Sequence, residues 1–439
     1  MVYNIVIGRD EADKKRFGEQ GTIFLGKGYV KMGETTSLSN NILLDVLRSH
    51  IIMVSGKRGS GKSYSLSVIA EEMSRLPEGI KENLSVLIFD TMGIFWTMKF
   101  PNERQEKLLQ SWSLRPEAIN VNIYTPVGFF RQYQQEGIPT DYSFSIKPSE
   151  LSASDWCNVF EIRLTDSLGI LIERIIGKIN EELINYSIED IITYIKEDIK
   201  TNNEIKNAVE NRFMAAKNWG LFSKQGTSID EIIKPGETSI IDISCYTNVG
   251  ENWSIKGLVI SILCKKLLNE RISARKLEEV QAIQAETKYF YEEKKKENPM
   301  IWIMIDEAHE FLPKEGSSSA SDTLIQLLRE GRQPGITLVL ATQQPGEIHK
   351  DVLTQSDIVI SHRLTSKLDV EALNSMMQSY LLADLQTYLN NLPKLRGSAI
   401  ILDDNSERIY PMRVKPKLSW HGGEAPTAIK IKKRLELNL

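Results

Sequence analysis

The sequence predicts an α/β fold in which a mostly parallel sheet is covered by helices on both faces. Short apolar segments with the residue types of buried strands recur along the chain, and segments of helical periodicity separate most of them. The strand candidates are residues 50–56, 86–90, 121–125, 238–244, 301–306, 336–342, 357–364 and 398–404. Strands that alternate with helices in this way form parallel sheets, because each helix returns the chain to the same edge.

The composition is that of an ordinary globular protein with a small net charge. Hydrophobic residues make up 41% of the 439 residues and charged residues 26%, which suits one large domain with additions or two to three units. The net charge of −4 does not favour a protein that coats DNA from outside, since such proteins are usually basic. It does not exclude a ring that confines positive charge to a narrow channel.

The cysteines and the apolar segments predict a cytoplasmic protein. Cys157, Cys245 and Cys264 lie far apart and form no Cys-x-x-Cys pair, so by themselves they make neither a disulfide framework nor a zinc site. No apolar run approaches the ~18 residues that a membrane helix needs. At the N-terminus a short apolar stretch precedes the charges, which is the reverse of a secretory signal.

Changes in residue pattern divide the chain into five predicted segments. Glycine-punctuated, alternating residues indicate a small β-barrel-like unit at 1–49. Helical periodicity, rich in Ile, Glu, Asn and Lys, indicates a helical insertion at 150–234. The α/β core is then formed by 50–149 and 235–415, and a polar, exposed C-terminal arm by 416–439.

A glycine-rich segment after the strand candidate 50–56 predicts a phosphate-binding loop. Residues 56–63, GKRGSGKS, match G-x-x-x-x-G-K-[ST] between a buried strand and an amphipathic helix. Glycines let successive backbone N–H groups turn towards phosphate oxygens, and the helix N-terminus adds positive potential. The residues expected to bind ATP are Gly56, Gly59, Ser60, Gly61, Lys62 and Ser63. Lys62 would reach the β and γ phosphates, and Ser63 would offer its hydroxyl to Mg²⁺.

Two carboxylates follow the apolar strand candidate 301–305. A buried strand would deliver Asp306 to its tip, where a carboxylate can hold the water shell of Mg²⁺. Glu307 comes next and can take a proton from an attacking water. The pair therefore predicts ATP hydrolysis rather than phosphoryl transfer to a small molecule.

Residues near the next strand complete the predicted site. Gln343 ends the strand candidate 336–342, at the sheet edge where parallel sheets bind ligands, and can bond the γ-phosphate or the lytic water. Gln344 is the adjacent alternative. An arginine for the transferring phosphoryl group is expected at Arg332, with Arg363 as the second choice. In a ring of subunits, such an arginine can reach the neighbour's ATP.

A GTPase is the main alternative among P-loop proteins. Asp90 begins a D-x-x-G match, and residues 366–369, SKLD, are near the base-reading pattern [NT]-K-x-D. Asp90 nevertheless follows the phosphate loop closely and lacks a switch-threonine context, and this interpretation leaves the paired acids and Gln343 without a role. Asp90 is therefore interpreted as a strand-end residue that shapes the nucleotide pocket or caps the next turn.

Several segments, taken in order, resemble the HerA branch of the HerA/FtsK superfamily. They are IGRD, HIIMVSGKRGSGKS, VLIFDTMG, IWIMIDEAHEFLP, LLREGRQPGITLVLATQQP and SWHGG. The resemblance covers most of the chain except 150–234. It implies a RecA-like core with a small N-terminal β-barrel, a helical insertion and a hexameric ring that threads double-stranded DNA. The arginine finger, catalytic glutamate and sensor glutamine of the family would fall on Arg332, Glu307 and Gln343.

The resemblance predicts an ATP-dependent ring translocase on double-stranded DNA that drives or feeds a partner nuclease, in DNA end processing or defence. The alternative is a ring-shaped ATPase scaffold that activates a nuclease or other effector, with translocation secondary. A third class is a protein motor or solitary NTPase whose turnover is independent of DNA. The loop 314–319, KEGSSS, is either a DNA contact, because small polar residues and one lysine suit backbone binding, or a plain surface loop.

Overall fold

The strands of the computed structural model, which describes residues 3–32, 35–248, 252–287, 298–376 and 385–423, belong to one sheet. In chain order they are β1 (Ile5–Ile7), β2 (Thr22–Met32), β3 (Thr35–Asp45), β4 (Ile51–Ser55), β5 (Leu84–Asp90), β6 (Asn122–Pro126), β7 (Tyr142–Phe144), β8 (Thr238–Asp242), β9 (Met300–Ile305), β10 (Ile336–Thr342), β11 (Ile358–His362), β12 (Ser398–Asp403) and β13 (Arg408–Val414). Across the sheet their order is β1-β3-β2-β13-β12-β11-β4-β10-β9-β5-β8-β6-β7.

Most of this sheet is parallel. From β11 across to β7, every neighbouring pair of described strands runs in the same direction. At the other end, β12, β13, β2 and β3 pair antiparallel, and β1 lies parallel to β3. The predicted α/β fold with a mostly parallel sheet is confirmed.

Helices cover both faces of the sheet. They are α1 (Glu11–Phe17), α2 (Lys62–Ser74), α3 (Glu78–Lys81), α4 (Glu106–Ser111), α5 (Val127–Glu136), α6 (Ala153–Val159), α7 (Ser167–Glu182), α8 (Ile188–Glu197), α9 (Asn203–Lys217), α10 (Ile229–Ile232), α11 (Asn252–Thr287), α12 (Ser321–Glu330), α13 (Lys350–Gln355), α14 (Lys367–Met376) and α15 (Leu385–Asn391). In β4, Ile51 and Met53 join one hydrophobic core, while Ile52 and Val54 join the other. The alternation follows from the two-residue period of a strand and shows that neither face of β4 is exposed.

The N-terminal strands extend the main sheet, whereas the sequence predicted a distinct barrel-like unit at 1–49. Strand β2 pairs with β13, with Gly28 opposite Met412 and Gly26 opposite Val414. A Cβ atom on Gly26 would lie 2.2 Å from the carbonyl oxygen of Arg413, so the close approach of the two strands requires glycine there. The pairing covers the end of β13, Met412 to Val414, where the sheet would otherwise have an open edge.

The segment predicted as a helical insertion, 150–234, contains α6 to α10. Three of its helices, α6, α8 and α10, begin at capping boxes formed by Ser152, Ser187 and Ser228. The apolar face of α7 is buried, and the ring of Trp156 on α6 packs against the rings of Phe160 and Phe213. These contacts attach the insertion to the same hydrophobic core as the first face of the sheet.

The start of the predicted C-terminal arm, 416–439, is packed rather than exposed. Residues 416–419 are buried against α2, where the carboxylate of Glu71 accepts hydrogen bonds from the N–H groups of Leu418 (2.9 Å) and Ser419 (3.0 Å). A buried carboxylate needs such partners, so this segment and α2 stabilise each other. The rest of the predicted arm, 424–439, lies outside the described residues.

A buried ion cluster at the amino end of β4 joins the N-terminal strands to the core. We call Arg9, Asp45, His50 and Asp357 the amino-edge cluster; their side chains are at most 7% exposed. His50 lies between the carboxylates, with Nδ1 2.8 Å from Asp357 and Nε2 3.3 Å from Asp45. Burial alone would lower the pKa of His50, but its hydrogen bonds with Asp357 and Asp45 outweigh burial and raise the pKa to about 9. The imidazole is therefore charged at neutral pH.

We expect His50 to make the free energy of unfolding fall as the pH rises. Because its pKa is about 9 in the folded chain and about 6.5 in an unfolded one, its stabilisation is complete below pH ~6.5 and is lost as the pH passes ~9. Urea unfolding of the wild type and of His50→Gln over this pH range measures the effect. The variant should show a smaller fall, and equal slopes in the two proteins would contradict a charged His50.

Candidate active site

The predicted phosphate loop, residues 56–61, connects β4 to α2 at the carboxyl end of the sheet. The two strands beside β4 hold it in place: the N–H of Gly56 donates to the carbonyl of Thr342 after β10 (3.3 Å), and the N–H of Lys57 donates to the carbonyl of Arg363 after β11 (3.2 Å). In parallel sheets, ligands bind at this edge. The loop therefore lies where the sequence predicted it.

The backbone of the loop requires its glycines. Gly59 and Gly61 have φ angles of 73° and 117°, which side chains other than glycine rarely adopt. A Cβ atom on Gly56 would lie 2.4 Å from Ser60 Oγ and 2.7 Å from His362 Cβ. The hydroxyl of Ser60 is buried without a hydrogen-bond partner in the chain, as expected of a group that serves a ligand. The cradle thus fits a phosphate chain.

The start of α2 adds positive potential to the cradle. Lys62 is the first residue of this 13-residue helix and is only 6% exposed. The first turn of α2 carries no acidic residue that would neutralise the helix dipole. Together, the lysine and the helix N-terminus form a site for an anion.

Ser63 and Asp306 meet at the base of the loop. The Ser63 hydroxyl donates to Asp306 Oδ2, although 243 residues separate them in sequence. Asp306 follows β9, is 2% exposed, and its Oδ1 accepts from the N–H of Glu307 at 2.9 Å. Burial raises the pKa of Asp306. A hydroxyl and a carboxylate are the hard oxygen donors that Mg²⁺ takes from P-loop proteins, so these two residues fit that ion.

Glu307 has the properties of a general base. Its φ of 53° lies in the left-handed region, a strained conformation that is frequent at functional sites. One carboxylate oxygen, Oε2, is buried without a hydrogen-bond partner. Burial, and then the charge of Asp306, raise the pKa of Glu307 to about 7, while Lys62 lowers it. A carboxylate held in this state can accept a proton from water near neutral pH.

Gln343, rather than Gln344, reaches the acidic pair. The half-buried side chain of Gln343 lies close enough to Glu307 to lower the pKa of its carboxylate, against the larger rise caused by burial, whereas Gln344 is exposed. The backbone of Gln344 is held by Thr342 Oγ1 at 3.1 Å. The structure therefore brings together Lys62, Ser63, Asp306, Glu307 and Gln343 around one edge of the sheet.

Arg332 lies at the amino ends of the parallel strands, whereas the phosphate loop and the acidic pair lie at their carboxyl ends. It precedes β10, and its Nη2 is 3.4 Å from Asp357 Oδ2 before β11. The seven residues of β10 separate it from its own phosphate loop by roughly 20 Å at ~3.3 Å per residue. Arg363 follows β11 beside that loop. Of the two candidates, Arg332 is too far from the phosphate loop of its own chain to act on ATP bound there, whereas Arg363 lies beside that loop.

Residues that the sequence did not indicate support the loop and the strand ends. His362 lies under the loop, with Nε2 2.9 Å from Ser65 Oγ and Nδ1 3.2 Å from the carbonyl of Ser398. Burial lowers the pKa of His362 to about 4, so the ring is neutral. The only signal for it in the sequence is its position at the end of a strand.

Asp90 accepts from the N–H groups of Gly93 (2.7 Å) and of three nearby residues, so it caps the turn, one of its two predicted roles.

The loop at 314–319 is partly tied to the body of the protein. Residues 314–317 are exposed, but Ser318 Oγ donates to the carbonyl of Phe311 (2.7 Å) and Ser319 Oγ donates to that of Ser254 (2.8 Å). The two serines are therefore engaged inside the chain. A contact with DNA at this loop would fall to Lys314 and its exposed neighbours.

The phosphate cradle on β4, with β10 between it and the acidic pair that follows β9, defines a P-loop ATPase with a RecA-like core. A family model described as "Helicase HerA, central domain" matches residues 30–267, which is more than half of the chain. The chain belongs to this HerA family. A second model, "ATPase family associated with various cellular activities (AAA)", matches residues 249–364, which include the acidic pair and Gln343.

Individual proteins show the same relationship at low identity. The probable helicase MJECL08 of Methanocaldococcus jannaschii is 23% identical over 451 residues, covering 96% of this chain and 75% of the relative. The DNA double-strand break repair helicase HerA of Sulfolobus acidocaldarius is 23% identical over 418 residues, covering 88% of this chain and 68% of the relative. Among solved structures, VirB4 of Thermoanaerobacter pseudethanolicus superposes with a TM-score of 0.55 at 11% identity, covering 91% of this chain and 97% of VirB4. This last likeness concerns the fold alone.

None of the described helices is both long enough and apolar enough to span a membrane.

Proposed function

We propose that this chain is an ATP-dependent translocase that works as a ring on double-stranded DNA and drives or feeds a nuclease in DNA end processing or defence. Its place in the HerA family supports the motor activity. Relatives named as DNA double-strand break repair helicases support DNA as the substrate. The observation that carries the ring is the position of Arg332, on the sheet edge opposite to its own phosphate loop.

The site suggests how ATP is hydrolysed. Gly56 to Lys62 would hold the phosphates, and Ser63 with Asp306 would hold Mg²⁺, which supplies positive charge next to the phosphate oxygens. Glu307, with its free carboxylate oxygen, would take a proton from the attacking water. Gln343, beside Glu307, would orient the same water or report loss of the γ-phosphate to β10.

A neighbouring subunit would complete the site. The side chain of Arg332 is 53% exposed, at the amino ends of the strands and far from the phosphate loop of its own chain. In a closed ring with head-to-tail interfaces, one edge of each subunit meets the opposite edge of the next. Arg332 would then stabilise the charge on the transferring phosphoryl group of the neighbour.

A second function, a ring that serves mainly as a scaffold and activator of an effector, is favoured by the surface of the helical insertion. Ile184 and Ile199 are 93% and 95% exposed, and Ile170 and Met214, also in the insertion, are 48% and 47% exposed. Apolar side chains that form one exposed patch mark protein interaction sites, so these four are the candidate docking residues of the scaffold. Co-purification of a partner whose activity survives Glu307→Gln but not removal of this surface would favour the scaffold.

The proposal is tested by ATP turnover of mixed rings on linear duplex DNA. Duplex should stimulate the wild type, and Arg332→Ala should bind ATP normally but turn over about 1,000-fold more slowly or worse, as for arginine fingers elsewhere. Mixed 1:1 with Lys62→Ala, which binds no ATP but keeps its arginine, Arg332→Ala should regain turnover. Random mixing gives about a quarter of the sites the productive combination.

Arg329→Ala is the matched control. Arg329 lies on α12 three residues before Arg332 and is 59% exposed. It pairs with Asp351 at 2.6 Å, so it is a half-exposed arginine with its own carboxylate partner outside the amino-edge cluster. It should keep full turnover. No stimulation by duplex together with a monomeric mass would end the translocase proposal, and a mixture that stays inactive although both variants form rings would end the role of Arg332 in trans.

A further inference from the structure

The amino-edge cluster extends to Arg332 as one chain of contacts. Arg9 Nε donates to Asp45 Oδ1 (2.9 Å), Asp45 Oδ2 lies 3.3 Å from His50 Nε2, and His50 Nδ1 lies 2.8 Å from Asp357 Oδ2. The same oxygen of Asp357 is 3.4 Å from Arg332 Nη2. The cluster runs from the end of β1 to the surface at the amino edge of the sheet.

The buried charges of the amino-edge cluster take no part in ATP hydrolysis at the site of their own chain. Taking ions out of water costs several kcal/mol each, and a well-packed apolar group would often stabilise the fold equally well. Arg9 and His50 balance Asp45 and Asp357, so the charge of Arg332 is left uncompensated within the cluster. A buried cluster without net charge that holds one exposed cation is suited to presenting that cation at the surface.

The carboxylate next to Arg332 is fixed from two sides. Asp357 Oδ1 accepts from the N–H of Ile51, the first residue of β4, at 2.8 Å, while Oδ2 is held by His50. The ring of His50 packs so closely against Gly8 that a Cβ atom there would lie only 2.9 Å from it, so glycine makes room for the imidazole between the two carboxylates. Strand β4 thus carries the anchor of Arg332 at its amino end and the phosphate loop at its carboxyl end.

The contact of Arg332 itself is loose by comparison. At 3.4 Å it is longer than a normal charge-assisted hydrogen bond, and half of the side chain is in solvent. Arg329, one turn earlier, makes a shorter contact of 2.6 Å with Asp351. A long, single contact to a rigid partner restricts where the guanidinium goes without withholding it from a phosphate.

We propose that Asp357, held in place by the rest of the amino-edge cluster, is the positioning residue of Arg332 and directs its guanidinium towards the triphosphate of the neighbouring subunit. The inference rests on the proposed ring. It gives the N-terminal strands a part in hydrolysis, because Arg9 and Asp45 contribute the far end of the cluster. Asp357 itself touches no substrate.

The test compares Asp357→Asn with Asp351→Asn in duplex-stimulated ATP turnover. Asparagine keeps the shape of Asp357 and the acceptor for Ile51, but removes the charge that faces Arg332. We expect kcat to fall about tenfold to 100-fold, since a small misplacement of a catalytic group has that effect. KM should stay the same, because the phosphate cradle lies at the other edge. Asp351→Asn, in the matched pair with Arg329, should keep its kcat.

Further arms separate positioning from damage to the fold. Mixing Asp357→Asn with Lys62→Ala should restore part of the turnover, and adding Asp357→Asn to Arg332→Ala should cause no further loss. If Arg332→Ala is impaired while Asp357→Asn is fully active, the inference is wrong and the proposed function stands. If Arg332→Ala is fully active, the ring function of Arg332 fails first. If Asp357→Asn gives no folded ring, His50→Gln takes its place with the same expected split between kcat and KM, and an unchanged kcat there overturns the inference.

Discussion

Replacement of Lys62 by alanine is expected to abolish ATP turnover and to weaken ATP binding strongly. Lys62 is almost fully buried at the N-terminus of α2, in the same site as Asp306 and Glu307, whose pKa values its charge lowers. Without it, two buried carboxylates would face a triphosphate with only the helix dipole and the backbone N–H groups to offset the repulsion. We expect a fall in turnover of about 1,000-fold or more, measured by phosphate release.

The matched control for this variant is Lys57→Ala. Lys57 lies in the same loop, but its side chain is exposed. Its backbone makes the hydrogen bonds: the N–H donates to the carbonyl of Arg363, and the carbonyl accepts from the N–H of Ser60. Loss of its charge should change turnover by a factor of two or so at most, because exposed charges in water interact weakly. Equal effects of the two variants would mean that the cradle attracts phosphate by its general charge and that Lys62 has no special place in it.

The site residues that belong to continuous sequence motifs could be predicted, because the fold brings the ends of these motifs together. Strands β4, β9 and β10 are buried apolar runs, and each is followed at its carboxyl end by the polar residues of the site. Parallel strands end at the same edge, so Lys62, Asp306 and Gln343 must meet if the three strands are neighbours. The sheet order β4-β10-β9 fulfils that condition.

Features that depend on long-range pairing could not be predicted in this way. The pairing of β2 with β13 joins residues almost 400 positions apart, and neither strand carries a local signature of its partner. The amino-edge cluster likewise draws Arg9, His50 and Asp357 from three distant places, each of which is an ordinary polar residue at the end of an apolar segment. Desolvation and pairing, rather than sequence pattern, give them their properties.

The position of Arg332 is an intermediate case. Its residue type and its place before β10 made it the first choice for the arginine finger. The sequence alone does not show that the length of β10 separates this arginine from the ATP site of its own chain. The structure adds this distance, on which the proposed action of Arg332 in a neighbouring subunit rests. The same geometry places Arg363 beside its own loop, a difference that spacing along the sequence does not reveal.

Replacement of Glu307 by glutamine is expected to leave ATP binding intact and to lower turnover about 100-fold to 1,000-fold, because the amide cannot accept a proton from water. Glutamine preserves the shape of Glu307 and a partner for Gln343, and the cradle at residues 56–63 is untouched. ATP affinity by calorimetry and phosphate release in a single turnover measure the two effects separately. Glu310→Gln is the control, since that carboxylate lies in the same turn but is 38% exposed, and it should keep its turnover. If Glu307→Gln hydrolyses ATP at the wild-type rate, another group must be the general base. If the variant fails to bind ATP, the buried charge of Glu307 is needed to keep the site open to the nucleotide.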